Sequence, residues 1–292
     1  MMPVSVIIPT HNEGENLVDT VECILDNTDY PAFELIVVDD GSSDGSCDTV
    51  ARRFGRRAAV VRGQDLGVSG ARNLGAHHAA GDLLIFIDAH CYVQADWMRL
   101  LVAPLEQPQI GMVGPAFADL RRGDMQAGYG AIWQNAMLDM GWLPRRSDTP
   151  YAVPLLIGGC QVVRRRDFAR LGGYDSGMTR WGSEDLELSL RFWLMGFESV
   201  IQPQALVHHL FRDRQNYHVD QAAICYNRLR MAFMHFNPVR LARVVDALKP
   251  AYEFARIMIM LMQSDTMQRR NQFLEARCRD DDWFFARFHY DI

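Results

Sequence analysis

The chain has 292 residues, enough for one large domain with a substantial buried core or one domain with an appendage. Apolar residues make up 49% and charged residues 23%, the balance of a soluble globular protein. The formal net charge is −6 with no long basic run, which argues against a nucleic-acid partner, since phosphate binding needs a basic face. The opening MMPVSVIIPT has neither a basic region nor a cleavable apolar stretch, so no signal peptide is expected. The longest apolar run near the C-terminus, Ile257 to Met262, is far too short to span a bilayer. The six cysteines have no paired spacing and no Cys-x-x-Cys, and no Asn-x-Ser/Thr occurs. Reduced thiols and a cytoplasmic location are the expectation.

In chain order, Val4 to Ile8 is a short β-branched strand signal. Glu15 to Asn27 carries Leu17, Val21, Ile24 and Leu25 at helical spacing. Phe33 to Val38 is strand-like and ends at the turn Gly41–Gly45; Asp48 to Phe54 reads as a helix and Ala58 to Val61 as a strand. Val68 to Ala80 is a helix, followed by the strand Leu83 to Ile87. This alternation predicts an α/β fold with a mostly parallel sheet, flanked by helices on both faces. Ligands on such sheets sit at the carboxyl ends of the strands.

Gly111 to Phe117 reads as a further strand. Ala118 to Pro154 mixes Gly, Pro, Trp and Arg and predicts a long functional loop with one helix; Trp133, Trp142, Arg145 and Arg146 make it the expected acceptor wall. Leu155 to Val163 is a strand interrupted by Gly158 and Gly159, and Glu184 to Met195 is a helix with Ser183 as its cap. Ser199 to Ile201 is a short strand, and from Gln221 the pattern becomes helical, broken by Pro238 and Pro250. That last part predicts a helical appendage. Arg256 to Met262, followed by Arg269 and Arg270, permits peripheral membrane contact, but a packed helix is the favoured reading.

Six groups of residues have chemistry to offer. In Asp88-Ala89-His90, positions i and i+2 of an extended chain point to one side, so a carboxylate and an imidazole can meet one cation. Oxygen plus nitrogen suits Mn²⁺ or a similar ion better than Ca²⁺; the plain alternative is the polar end of a buried strand. His208 and His209 end another apolar stretch and offer a third ligand, or else a solvated loop. Trp181 to Asp185 opens a helix, where carboxylates favour the macrodipole or supply a general base at the lip of a cleft. Glu184 and Asp185 diverge by about 100°, so one of the two is expected to face the site. Asp39 and Asp40 end a strand before a Gly/Ser turn and can accept a hydrogen bond from a ribose or base, or simply close an ordinary turn. Arg72, in a Gly/Ser-rich helix entry, can reach a phosphate or pair with a surface carboxylate. Pro9, Thr10, His11, Asn12 and Glu13 end the first strand and can line a nucleotide.

IIPTHNE, VVDDGSSDG and GVSGARNLGA together resemble the nucleotide-binding half of a family 2 glycosyltransferase with the GT-A fold. IDAHC, the Gly158-Gly159 pair, YDSGMTRWGSEDLE and HHLFR with Tyr217 five residues on are similar to motifs of polypeptide N-acetylgalactosaminyltransferases. The resemblance covers residues 4 to 217. It implies a GT-A domain over 1–217 and a C-terminal helical extension over 218–292. It implies that Asp88, His90 and His209 bind Mn²⁺, with Mg²⁺ as the alternative, and that the donor is a UDP-hexose or UDP-N-acetylhexosamine. Donor contacts fall to Pro9, Thr10, Asn12, Glu13, Asp39 or Asp40, Asp88 and Ala89. Arg72 and Arg212 would neutralise phosphate charge and Tyr217 would close over it. Gly158 and Gly159 would let the sugar approach, and Trp181 would shape the cleft. The acceptor is a hydroxyl of a glycan, peptide or small molecule.

The chain departs from the galactosaminyltransferase pattern at Ser183, where they have Gly, and at Asp185, where they have Asn. In inverting family 2 enzymes a Glu-Asp pair supplies the base, so Glu184 and Asp185 imply inversion with Asp185 as general base. Retaining transfer to Ser/Thr of a peptide is the alternative. A nucleotidyltransferase would need a basic Gly-rich loop early in the chain, where HNEGEN stands instead. A non-catalytic nucleotide-sugar binder would show damaged metal or base positions, and all are filled.

Overall fold

In the computed structural model, which describes residues 2–122, 127–212, 219–251 and 253–292, strands and helices alternate from the start. They are β1 (Val4–Thr10), α1 (Glu15–Asp26), β2 (Phe33–Asp40), α2 (Ser46–Phe54), β3 (Ala59–Gly63), α3 (Gly67–His78) and β4 (Leu83–Ile87). The β-branched runs of β1, β2 and β4 are buried on both faces, as a helix-covered parallel sheet demands. Val6, Ile8, Leu35, Val37, Ile85 and Ile87 face one cluster with Leu17, Val21 and Ile24 of α1 and Val50 of α2. Ile7, Ile36, Val38, Leu84 and Phe86 face the opposite one, which α3 closes through Ala71. Each fully buried side chain of this kind contributes about 1.5–3 kcal/mol. The parallel register pairs Thr10 with Asp39 and Asp40 with Gly63, so the polar ends of these strands share one edge.

The chain continues through β5 (Cys91–Val93), α4 (Trp97–Val102), β6 (Ile110–Asp119), the hairpin β7 (Ala131–Trp133) and β8 (Met140–Trp142), and β9 (Tyr151–Ala152). Then follow β10 (Cys160–Arg164), α5 (Arg165–Arg170), α6 (Glu184–Leu194) and β11 (Glu198–His209). The main sheet runs β3-β2-β1-β4-β10-β6-β11-β5, with β9 on β11. The four N-terminal strands are parallel, β10 opposes both β4 and β6, and β11 is again parallel to β6.

Several local expectations change. Among the described residues, 118–154 hold no helix; the hairpin takes its place. Trp133 is 1% exposed and packs on Phe236, Phe284 and Phe285, so it is a core residue and cannot wall an acceptor. The strand expected from Leu155 begins only at Cys160, because Leu155–Gly159 turns back under α6. The short strand expected at Ser199–Ile201 extends to His209 across a register shift between Gln202 and Leu206. Ser183 precedes α6 at φ +70° but makes no side-chain cap.

The remainder is helical: α7 (Gln221–His235), α8 (Pro238–Leu248), α9 (Phe254–Gln263), α10 (Thr266–Ala276) and α11 (Asp281–Phe288). Asp220 caps α7 by accepting from Ala222 N, and Asn237 caps α8 by accepting from Arg240 N, with Pro238 in the first turn. Leu229 and Phe236 of this part share one apolar cluster with Leu186, Leu190 and Trp193 of α6. Glu187, Arg191 and His235, all buried, bond α6 to α7 across that seam. No helix of the described residues is long and apolar enough to cross a membrane.

Candidate active site

β4 ends at Ile87, and Asp88, Ala89 and His90 form the turn into β5. β5 pairs antiparallel with the end of β11, matching Cys91 with His209 and Tyr92 with His208. Leu210 N also donates to His90 O at 3.1 Å. The ladder thus delivers His209 beside His90, across 118 intervening positions of sequence. Alternation along β11 sends His209 and Val207 to one face and His208 to the other, which settles which of the paired histidines belongs to the site. The His90 and His209 rings meet edge to face at 4.6 Å. One ligand atom each from Asp88, His90 and His209 lies within 4.8 Å of the others.

This set fits a divalent cation. A six-coordinate ion with bonds of about 2.1 Å holds neighbouring ligand atoms about 3 Å apart, so the three groups, within 4.8 Å of one another, would draw somewhat closer to meet one ion. Nδ1 of both His90 and His209 is buried without a hydrogen-bond partner, and His209 presents its Nε2 to Asp88 Oδ2 at 3.8 Å, a gap that a shared cation would close. Burial, with His90 and Arg212 nearby, lowers the pKa of His209 despite the opposing pull of Asp88, which favours the neutral imidazole that a metal needs. Burial alone would raise the pKa of Asp88, but its contact with His209 and the Arg72 guanidinium outweigh it and hold the carboxyl well below the usual range. The site therefore offers one anionic oxygen and two imidazoles.

Arg72 lies behind this set rather than on its open face. It is 2% exposed, and its guanidinium donates to Asp88 Oδ1 at 3.0 Å, Glu184 Oε1 at 2.9 Å and Gly158 O at 2.9 Å. Its expected phosphate contact is replaced by pairing with carboxylates, and those carboxylates belong to the site instead of the surface. Glu184, also buried, accepts from Gly182 N at 2.9 Å. Asp185 accepts from Gly158 N at 2.7 Å and from Leu186 N at 2.8 Å. Asp185 thus meets the Gly158 turn directly, while Glu184 is linked to it only through Arg72. Burial and the neighbouring Glu184 raise the pKa of Asp185 to about 7, against the pull of Arg72 and its two backbone donors. A Cβ on Gly158 would lie 2.9 Å from Arg72 Nη2, and one on Gly159 would lie 3.1 Å from His209 Cδ2, so neither position has room for a side chain without movement.

Glu13 is the link that the sequence named but did not explain. Its buried carboxylate stands 3.5 Å from His90 Nδ1 and accepts both arms of the Arg212 fork, one at 3.0 Å. Burial would raise its pKa, but His90 and Arg212 together lower it. Arg212 is thereby engaged with a carboxylate of the chain itself. Asp39 is buried, accepting from Ser42 N at 2.8 Å and Arg62 Nη1 at 3.0 Å. Asp40 accepts from Leu66 N and Gly67 N at 2.7 and 2.9 Å, closing the entry to α3. Thr10 Oγ1 is buried with no hydrogen-bond partner, and Asn12, at φ +55°, accepts from Ser43 N. Pro9 is half-buried beside them, Ala89 is buried within the Asp88–His90 turn, and Trp181 stands exposed at the lip. Tyr217 lies outside the described residues. Phe211, which lies in the HHLFR motif but carried no role there, stacks on His209 at 4.3 Å and meets the exposed Trp142 at 5.9 Å.

Comparison with known proteins gives the family and the fold. The family model described as "Glycosyl transferase family 2" matches residues 5–172, and "N-terminal domain of galactosyltransferase" matches 145–215. Polypeptide N-acetylgalactosaminyltransferase 11 of Xenopus tropicalis is 32% identical over 253 residues, 78% of this chain and 42% of the relative. Polypeptide N-acetylgalactosaminyltransferase 16 of Homo sapiens is 29% identical over 308 residues, 99% of this chain and 53% of the relative. The chain spans about half the length of the curated relatives it matches. The crystal structure of GalNAc-T7 with UDP, GalNAc and Mn²⁺ has the same fold, with a TM-score of 0.79 at 23% identity over 99% of this chain and 57% of that one. A mannosyltransferase from Pyrobaculum calidifontis in complex with GDP-Man and Mn²⁺ follows at 0.58 and 19%, over 94% and 86% of the two chains. With a GT-A-type sheet, helices on both its faces and a family match over more than half its length, the chain belongs to glycosyl transferase family 2.

Proposed function

We propose that this glycosyltransferase moves an N-acetylhexosamine from a UDP donor to an acceptor hydroxyl, with Asp88, His90 and His209 holding Mn²⁺. The observation that carries this reading is the convergence of one carboxylate and two imidazoles at the carboxyl edge of the sheet. The names of the relatives and the UDP and Mn²⁺ in the GalNAc-T7 crystal support the donor and the ion. When bound, the ion would stabilise negative charge on the departing diphosphate. The chain's own residues do the rest. Arg72 fixes Asp88 and Glu184 in one buried network, so the site needs little reorganisation as charge develops. Thr10, Asn12 and the pair Asp39/Asp40 lie where a uridine would be read. Gly158 and Gly159 let a sugar lie against the backbone, with Trp181 at the lip of the cleft.

The relatives' names favour a polypeptide as acceptor, and with it the retaining transfer to Ser/Thr that the motif resemblance gave as the alternative. Asp185 supports that outcome in one respect: both its oxygens accept backbone N–H groups, which suits a group that positions the Gly158 turn. Inversion with Asp185 as general base is the second reading, and its raised pKa favours it, since a base ionising near neutrality is well matched to taking a hydroxyl proton. Titration of UDP with and without Mn²⁺ tests the site, and a UDP-sugar panel then tests the donor. Metal-independent UDP binding would overturn the metal assignment. The anomeric configuration of the product decides between the two readings. Under inversion, Asp185→Asn removes an acid limb centred near pH 7, with kcat rising as Asp185 ionises, and lowers kcat by orders of magnitude. Under retention, neither the limb nor so large a loss is expected.

A further inference from the structure

One side chain of the C-terminal helices that no motif marks holds the segment leading into α6. Asn227 on α7 is 1% exposed, and its whole carboxamide is spent on the backbone of the segment leading into α6. Its Oδ1 accepts from Thr179 N at 2.8 Å, and its Nδ2 faces Thr179 O at 2.9 Å, Gly182 O at 2.9 Å and Trp181 O at 3.4 Å. The segment it grips is unusual: Arg180, Gly182 and Ser183 have φ of +55°, +108° and +70°, and for Arg180 and Ser183 that conformation is strained. Strain of this kind persists only where the surroundings over-determine it. On the other side, Val68 N donates to Arg180 O at 2.9 Å, and Gly182 N donates to Glu184, which pairs with Arg72.

We propose that Asn227 is a positioning residue for glycosyl transfer: it holds the Thr179–Ser183 segment so that Trp181 and the start of α6 face the sugar. A backbone-only contact explains why sequence patterns miss it, since the partners are carbonyls and an amide rather than recognisable side chains. The proposal rests on the function proposed above for the site, but its first readout does not.

The test is Asn227→Ala in the full chain, with Arg243→Ala as a control that removes a polar contact of the C-terminal helices, to Asp291, away from the site. Amide exchange at Val68 reports whether the segment stays docked. For Asn227→Ala, exchange at Val68 is expected to accelerate at least tenfold. UDP affinity in Mn²⁺ should stay within about twofold, and kcat for UDP release from UDP-GalNAc, with water taking the sugar in place of the acceptor hydroxyl, should fall at least tenfold. The control leaves all three unchanged. Unaltered exchange and kcat would overturn the proposal, as would a loss of kcat matched by an equal loss of UDP binding, which marks general damage. Should the Ala variant fail to fold, Asn227→Asp, which keeps the acceptor for Thr179 N but loses the donors, decides by the same criteria. A wild type that releases no UDP from UDP-GalNAc sinks the donor assignment, while exchange at Val68 still decides whether Asn227 holds the segment.

Discussion

His209 shows how much can hang on a single strand position. Its ring is placed by pairing with Cys91, its neighbour His208 points the other way, and its lowered pKa keeps it neutral. His209→Ala is therefore expected to weaken Mn²⁺-dependent UDP binding by about 100-fold or more, while His208→Ala changes it little; titration calorimetry in Mn²⁺ separates the two. Glu13 acts one contact further out. Glu13→Gln removes the anion beside His90 and should cost about 10–100-fold in Mn²⁺ affinity, the usual range for partners of metal ligands, read by Mn²⁺ electron paramagnetic resonance.

At the scale of elements, contacts between helices and sheet carry the argument. α3 lies so close on β1 and β2 that a Cβ at Gly75 would stand 2.3 Å from Ile7 Cγ2 and 3.0 Å from Val38 Cγ2. Gly75→Ala is expected to destabilise by about 1–3 kcal/mol through overpacking, measured by denaturant unfolding. α6 and α7 are joined by the Glu187–Arg191–His235 cluster. Burial would raise the pKa of Glu187, but Arg191 and His235 hold it well below the usual carboxylate range. Its stabilising contribution is present above the unfolded carboxyl value of about 4.3 and is lost as pH falls toward the lower folded value. Glu187→Gln leaves Arg191 buried without its anion and should cost about 3–5 kcal/mol at neutral pH. The gap between wild type and variant should narrow as pH drops below about 4.

For the whole molecule, the question is whether the helices after residue 218 are dispensable. Packing does not follow the division at 217/218 expected from the motifs. Trp133, Leu186, Leu190 and Trp193, from the part that carries the site, share their apolar cluster with Leu229, Phe236, Phe284 and Phe285. Arg230 reaches from α7 to the buried Asp175 at 2.7 Å. A fragment ending at residue 217 would expose that cluster and leave Asp175 unpaired with Arg230. It is expected to lack a cooperative thermal transition and to aggregate, which calorimetry and light scattering would register.

Strand and helix periodicity and the carboxyl-edge placement of Asp39, Asp40 and Asp88 are local features, and the sequence by itself determined them; Asp88 and His90 meet across a turn instead of along the extended chain expected. Their physics acts over a few neighbouring residues: alternation of side chains, burial of β-branched runs, and polar residues where strands end. The motif resemblance extended this to His209, Gly158, Gly159 and Asp185 as site residues. Only the tertiary structure decided which groups meet. It placed Arg72 behind Asp88 instead of on the open face, Arg212 on Glu13, Trp133 in the core, and Asn227 against the Thr179–Ser183 backbone. Each of these contacts depends on the full crossing of helices over the sheet, and each residue's type alone is compatible with several partners. An arginine binds a phosphate or a carboxylate with the same fork, and a tryptophan fills a core or lines a cleft with the same ring. The choice falls to burial and distance, which exist only once the chain has folded.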